Sequence, residues 1–288
     1  MPHSGDTKPE RHIRRSARGP DRHAHLCWWY RDPAEFLVRA KEFLAEGLAL
    51  GQRVRYLGPA GPDALAAALG EVDGMAAALD GGAVEVASPE PGSPSDPVVD
   101  PAGQVAAYAE ATEEALAAGY TGLRVAADHT ALARTPAQVA ALLRHEHLVD
   151  RYSVDRPFAA MCAYDITRLG DDTVAQLTAV HPDTNRPGQF RLHAAQVPGA
   201  AVQLGGELDL GCHDLLEALL AQLDPQPGGG EFVVYAPELT FIDHHGLLAL
   251  ADHARQRGAT AVLRTACTGA ARVVSALELP NVRVESIT

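Results

Sequence analysis

Histidine, cysteine and carboxylate side chains recur in this chain at the edges of apolar segments, where they could bind a polar ligand, move a proton or hold a metal ion. His25 and Cys27 open the run His25-Leu26-Cys27-Trp28-Trp29-Tyr30. Asp128 and His129 follow the apolar stretch Leu123 to Ala126. Cys162, Tyr164 and Asp165 end the stretch that begins at Phe158, and His181 stands just before Pro182. His145 and Glu146 are adjacent within Ala137 to Tyr152, a helical segment whose apolar stripe is Val139, Leu142, Leu143 and Val149; Glu146 falls on that stripe. A carboxylate there needs hydrogen-bond partners or its pKa rises.

These ten residues are the ligand-binding candidates, and none is assigned a catalytic role. No nucleophile and base stand at motif spacing. Cys27, Cys162, Cys212 and Cys267 are scattered singly. With no C-x-x-C pair or other compact metal signature, packing is favoured over a metal or haem centre, and no cofactor or metal is assigned. A metal or haem sensor remains an alternative. The turn Gly58-Pro59-Ala60-Gly61-Pro62 lacks G-x-x-x-x-G-K-[ST], so nothing cradles a triphosphate. The expectation is a regulator and not an enzyme.

The elements that position these groups alternate strand and helix. His25 to Tyr30 suits a buried strand, and Asp32-Pro33 caps and starts a helix that Gly51 ends. Further strands are expected at Arg53 to Leu57, Ala83 to Val86, Leu123 to Ala126 and Phe158 to Tyr164. Alternation of this kind predicts right-handed crossovers and a mostly parallel sheet, with Asp128, His129 and Asp165 at the carboxyl ends where a ligand crevice forms. Ser88 to Pro101 reads as an exposed loop. A break at Pro182 to Gln189 divides the chain. Beyond it, paired strands at Phe190 to Val197 and Ala201 to Gly205 begin a second, smaller α/β unit, with later strands at Glu231 to Tyr235, Ala261 to Leu263 and Val282 to Ile287.

The expected organisation is therefore a solvated tail over residues 1–23, a first domain over 24–183 and a second over 190–288. The tail carries more Arg and Lys than Asp and Glu, which leaves a weak electrostatic tether as its alternative. The chain has 288 residues, 47% of them hydrophobic and 21% charged, a globular composition that accommodates two cores. A formal net charge of -13 argues against nucleic-acid binding. The unpaired cysteines and the lack of a long apolar run point to a cytoplasmic protein with no membrane segment.

Five segments in order, H-L-C-W-W-Y-R-D, F-L-A-E-G-L-A-L-G, R-H-E-H-L-V, C-A-Y-D and H-P, resemble the MEDS sensory domain of methanogen and methylotroph regulators over about His25 to Pro182. The resemblance implies a RecA-like α/β fold that senses small metabolites.

Two further segments, Gly206-Glu207-Leu208-Asp209-Leu210 and Leu239-Thr240-Phe241-Ile242-Asp243-His244-His245-Gly246-Leu247, resemble the paired signatures of STAS domains, the fold of anti-sigma factor antagonists. That resemblance covers about Phe190 to Thr288. It implies a partner face that includes Asp209, Asp243, His244, His245 and Gly246, read as a surface loop. The implied partner is an anti-sigma factor or related kinase-fold protein, acting in signal transduction and transcription regulation. In that family a kinase phosphorylates a hydroxyl before the Gly-Leu pair; His245 stands there and has none, so the resemblance implies control from the first domain instead. A non-catalytic interaction scaffold within a larger assembly, or a homo-oligomer, stays open beside this reading.

Overall fold

The structure, a computed structural model, describes residues 13–17, 19, 23–58, 60, 62–70, 74–87 and 98–287. The elements run in the order β1 (His25–Tyr30), α1 (Pro33–Ala49), β2 (Arg53–Leu57), α2 (Pro62–Gly70), α3 (Met75–Asp80), β3 (Val84–Ala87), α4 (Pro101–Ala117), β4 (Leu123–Asp128), α5 (Pro136–Asp155), β5 (Phe158–Asp165), α6 (Asp171–Ala179) and β6 (Asp183–Thr184). The second half follows with β7 (Phe190–His193), β8 (Val202–Leu208), α7 (His213–Leu223), β9 (Glu231–Ile242), α8 (His244–Gln256), β10 (Thr260–Thr265), α9 (Thr268–Ala276) and β11 (Val282–Ser286).

Strands β1 to β6 form one sheet in the order β3-β2-β4-β5-β1-β6, with parallel pairing throughout. Both faces are covered, as a parallel sheet requires. The period of two therefore sorts residues between cores and not between core and water. Leu26, Trp28 and Tyr30 of β1 join Ala159, Met161 and Ala163 of β5 on the α1 face. Cys27 and Trp29 join Phe158, Ala160, Cys162 and Tyr164 on the α5 face. Asp32 Oδ1 caps α1 by accepting the Ala34 N–H, and Thr135 with Gln138 closes a full capping box at the start of α5.

The second sheet has the order β11-β10-β9-β8-β7, parallel except for the antiparallel pair β7 and β8. Its β9 runs twelve residues, past the expected end at Tyr235 and through Pro237. The register shifts beside Pro237 on the β8 side, between Gln203 and Gly205 and again between Gly206 and Glu207, and β10 pairs only as far as Ala236. A proline with no N–H to give is accommodated at such a bulge.

Three expectations change. The segment taken for a solvated tail is partly seated: Ile13 bridges to Thr184, Arg14 pairs with Asp183 at 2.6 Å, and Ala17 is fully buried. The first sheet extends past the expected boundary at 183, because β6 pairs with β1 and Asn185 hydrogen-bonds both the N–H and the carbonyl of Trp29. His244 and His245 form the first turn of α8 and not a loop, since Asp243 Oδ1 accepts the Gly246 N–H and caps the helix there. The rest of the tail, residues 88–97 of the expected loop, and Pro59 and Gly61 of the turn after β2 lie outside the described residues.

The two halves share one apolar core. A single cluster of buried side chains runs from Cys27, Leu142 and Phe158 through Leu177 and Val180 to Phe190, Leu216 and Phe232. No described helix is long and apolar enough to cross a membrane.

Candidate functional site

Beneath the α5 face of the first sheet, the Glu146 carboxylate is completely buried and meets polar groups from five residues. On Oε1, the Tyr164 hydroxyl donates at 2.6 Å and His129 Nδ1 lies at 3.0 Å. On Oε2, His25 Nε2 lies at 3.1 Å, the Cys162 thiol donates at 3.1 Å, and His181 Nε2 lies at 3.4 Å. A carboxylate offers about four lone-pair positions, so five groups exceed what hydrogen bonding alone uses.

Each side chain arrives by a definable route. His25 and Cys27 point to this face from β1, and the parallel register sets Cys27 beside Cys162 of β5. Tyr164, one pleat further along β5, packs on Trp29 with ring centroids 5.0 Å apart. His129 leaves the end of β4, and His181 follows α6 with its Nδ1–H donating to Leu177 O at 2.7 Å. Glu146 comes from the middle of α5, which packs on this face against β1 and β5.

One turn further along α5, Asp150 continues the network. Its Oδ1 lies 3.3 Å from His25 Nδ1, and its Oδ2 accepts the backbone N–H of Ala194 at 2.6 Å. His193 Nδ1 stands 3.6 Å from the same oxygen. The chain of contacts thus passes from the buried cluster into the first strand of the second sheet.

The electrostatics follow from burial opposed by pairing. Burial disfavours an imidazolium at His25, yet Asp150 and Glu146 outweigh it and raise the pKa to about 9. Burial would likewise raise the Glu146 carboxyl, but the neighbouring imidazoles hold it well below the ordinary range. Asp150 is lowered in the same way, with His193 and His25 overcoming its burial. Burial, reinforced by Glu146, pushes the thiols of Cys27 and Cys162 and the phenol of Tyr164 well up, so all three are protonated. Burial drives His145 down to about 4, and its Nδ1 has no hydrogen-bond partner.

The structure separates the expected candidates into two groups. His25, His129, Glu146, Cys162, Tyr164 and His181 converge directly, with Cys27 and His145 packed alongside. Asp128 and Asp165 do not join them. At the carboxyl ends of β4 and β5 they bond elsewhere: Asp128 accepts from the Tyr30 hydroxyl of β1 at 2.5 Å and from the Thr130 N–H in its own turn, and Asp165 accepts from the Thr167 N–H and hydroxyl. The polar centre lies under α5, and of the three carboxyl-end candidates only His129 reaches it. Asp150 and His193 were not anticipated; for Asp150 the signal was present, since it stands four residues after Glu146 on the same helix face.

Two donor sets here could hold a metal ion: His25, Glu146, Cys162 and His181, and His129, His145 and Glu146. In each, the ligand atoms lie within 4.8 Å of one another. Donor atoms 3.1 to 3.6 Å apart leave no slab of space between them for a haem macrocycle. In the second unit, Asp209 Oδ1 accepts the Gly211 N–H, and the rings of His213 and His245 lie 5.2 Å apart.

No curated protein matches the chain. The family model described as MEDS, the methanogen/methylotroph DcmR sensory domain, matches residues 24–182, which hold every residue around Glu146; the five-stranded unit lies outside the match. Over more than half of its length, the chain belongs to the MEDS family.

Proposed function

We propose that the protein is a cytoplasmic signalling regulator without enzymatic activity, in which the MEDS domain senses a small ligand and governs protein binding by the second unit. The observation that carries the reading is the double role of α5. Glu146 is the hub of the buried cluster, and Asp150, one turn away, holds the backbone of Ala194 in the second unit. A ligand that binds two arrangements of this helix with different affinity shifts both halves together.

The second unit is read as a STAS-like, anti-sigma-antagonist-like module. Its partner face comprises Asp209, Asp243, His244, His245 and Gly246, with the exposed Leu210 and Phe241 beside them. The partner is a kinase-fold anti-sigma factor. His245 offers no hydroxyl at the position that relatives phosphorylate, so control enters from the sensory domain. Mixing the purified full chain with kinase-fold anti-sigma factors from the same genome, before and after removal of bound small molecules, tests this. A complex whose affinity changes between the two preparations supports the reading, and no complex in either refutes it.

A further inference from the structure

The crowding around Glu146 Oε2 has a chemical reading beyond hydrogen bonding. Leu177 O can only accept, so the proton of the neutral His181 ring is on Nδ1 and a lone pair occupies Nε2. That lone pair faces Glu146 Oε2 at 3.4 Å in a fully buried setting and lacks the alignment of a hydrogen bond. Two lone pairs held against each other out of water repel unless a cation lies between them.

The remaining geometry suits such a cation. A tetrahedral site with bonds of about 2.0 to 2.3 Å has ligand-to-ligand edges of about 3.3 to 3.7 Å. Here His181 Nε2 to Glu146 Oε2 is 3.4 Å and Cys162 Sγ to His25 Nε2 is 3.6 Å, within that span; His25 Nε2 and Cys162 Sγ each stand 3.1 Å from Glu146 Oε2, slightly short of it, and all four donor atoms lie within 4.8 Å of one another. Both imidazoles are oriented as metal-binding histidines are, with the second ring nitrogen directed at an acceptor: Leu177 O for His181 and the Asp150 carboxylate for His25. Tyr164 and His129 fix Oε1, which leaves Oε2 to the cation.

We propose that His25, Glu146, Cys162 and His181 form a four-coordinate site for a divalent transition-metal ion of the zinc class, and that its occupancy is what the sensory domain registers. Two imidazoles, a thiolate and a carboxylate select zinc-like ions over magnesium or calcium. Four protein donors close the coordination sphere, as in sites where the ion organises the fold instead of activating a substrate. On filling, the Cys162 thiol and the His25 imidazolium each release a proton. The sensing clause rests on the regulatory reading above; the site itself does not.

Cobalt(II) is the probe, supplied during expression in place of zinc so that the buried site fills as the chain folds. The full-length protein is expected to retain one cobalt per chain, with a thiolate-to-cobalt charge-transfer band and the intense d–d bands of a tetrahedral centre. Cys162→Ser should abolish the charge-transfer band. His181→Gln, which keeps a polar side chain beside Leu177 O, and Asp150→Asn, which touches no metal donor and weakens the contact that orients His25, should each weaken retention by about 10–100-fold. Failure to retain cobalt, or a spectrum unchanged in Cys162→Ser, overturns the site. Should that happen while the chain still captures its kinase-fold partner responsively, the metal assignment falls alone; cobalt retention without any partner response removes the sensing clause and leaves the site.

Discussion

Leu210 and Phe241 stand exposed at the same end of the second sheet, Leu210 two residues after Leu208 and Phe241 next to Ile242, the residue paired with Leu208. These two water-facing apolar side chains lie within the partner face proposed above, beside Asp209 and Asp243. The double substitution Leu210→Glu with Phe241→Glu should change stability by less than about 0.5 kcal/mol, because neither residue is in the core. Partner affinity should fall at least about tenfold, the share of binding expected of a central apolar contact. Titration calorimetry alongside urea denaturation separates the two effects.

Asp150 is a buried carboxylate that serves His25 on one oxygen and the Ala194 N–H on the other. Asp150→Ala strips both and leaves the His25 ring facing a cavity. A loss of roughly 3 kcal/mol in unfolding free energy is expected, and the two halves should begin to unfold at separate denaturant concentrations. Fluorescence of Trp28 and Trp29 reports the first half, and far-ultraviolet circular dichroism reports both.

Gly47, within α1, makes room for the buried Arg124. A Cβ added there would lie 2.7 Å from Arg124 Cδ and 2.9 Å from Val54 Cγ1. Glycine to alanine normally stabilises a helix interior, yet here overpacking should reverse the sign and cost about 1–3 kcal/mol. Thermal unfolding of Gly47→Ala checks this.

His253 should make stability depend on pH. Burial lowers its pKa below 6.5, only partly offset by the bond from Nε2 to Pro225 O at 3.0 Å; Arg257 pushes it further down and Asp224 up. Below pH 6.5 the unfolded chain takes up a proton that the folded ring resists, so this contribution to stability is complete above that pH and declines as pH falls towards the lowered folded value. His253→Gln, whose amide can keep the bond to Pro225, should show a shallower decline between roughly pH 7.5 and 5.5 when the two proteins are compared by urea denaturation.

Much of the frame was legible in local sequence. The strand Arg53 to Leu57 and the antiparallel start of the second unit at Phe190 were readable because apolar runs bounded by glycine and proline carry that information. The extension of β9 through Pro237 was not, because proline reads as a stop until a neighbouring bulge is seen to absorb it. At the site, Glu146 announced itself by lying on an apolar helical stripe. Its convergence with His25, Cys162 and His181 depends on the register that sets Cys27 beside Cys162 and on how α5 crosses the sheet. Those are long-range relations that no local spacing encodes. Asp128 and Asp165 stand apart from Glu146 for the complementary reason: a position at a strand end is a local feature, and it says nothing of which distant side chain, here Tyr30 for Asp128, a carboxylate meets.

If the buried cluster and the second sheet move as one through α5, amide hydrogen exchange of the full chain registers it. Cys162→Ala removes a cluster member that lies within the first sheet, while Gly47→Ala perturbs the same domain on its opposite face as a control. Exchange at residues 190–208, including Ala194, should be faster in Cys162→Ala and unchanged in Gly47→Ala. Faster exchange confined to the first sheet, or equal effects of the two substitutions at Ala194, would contradict it.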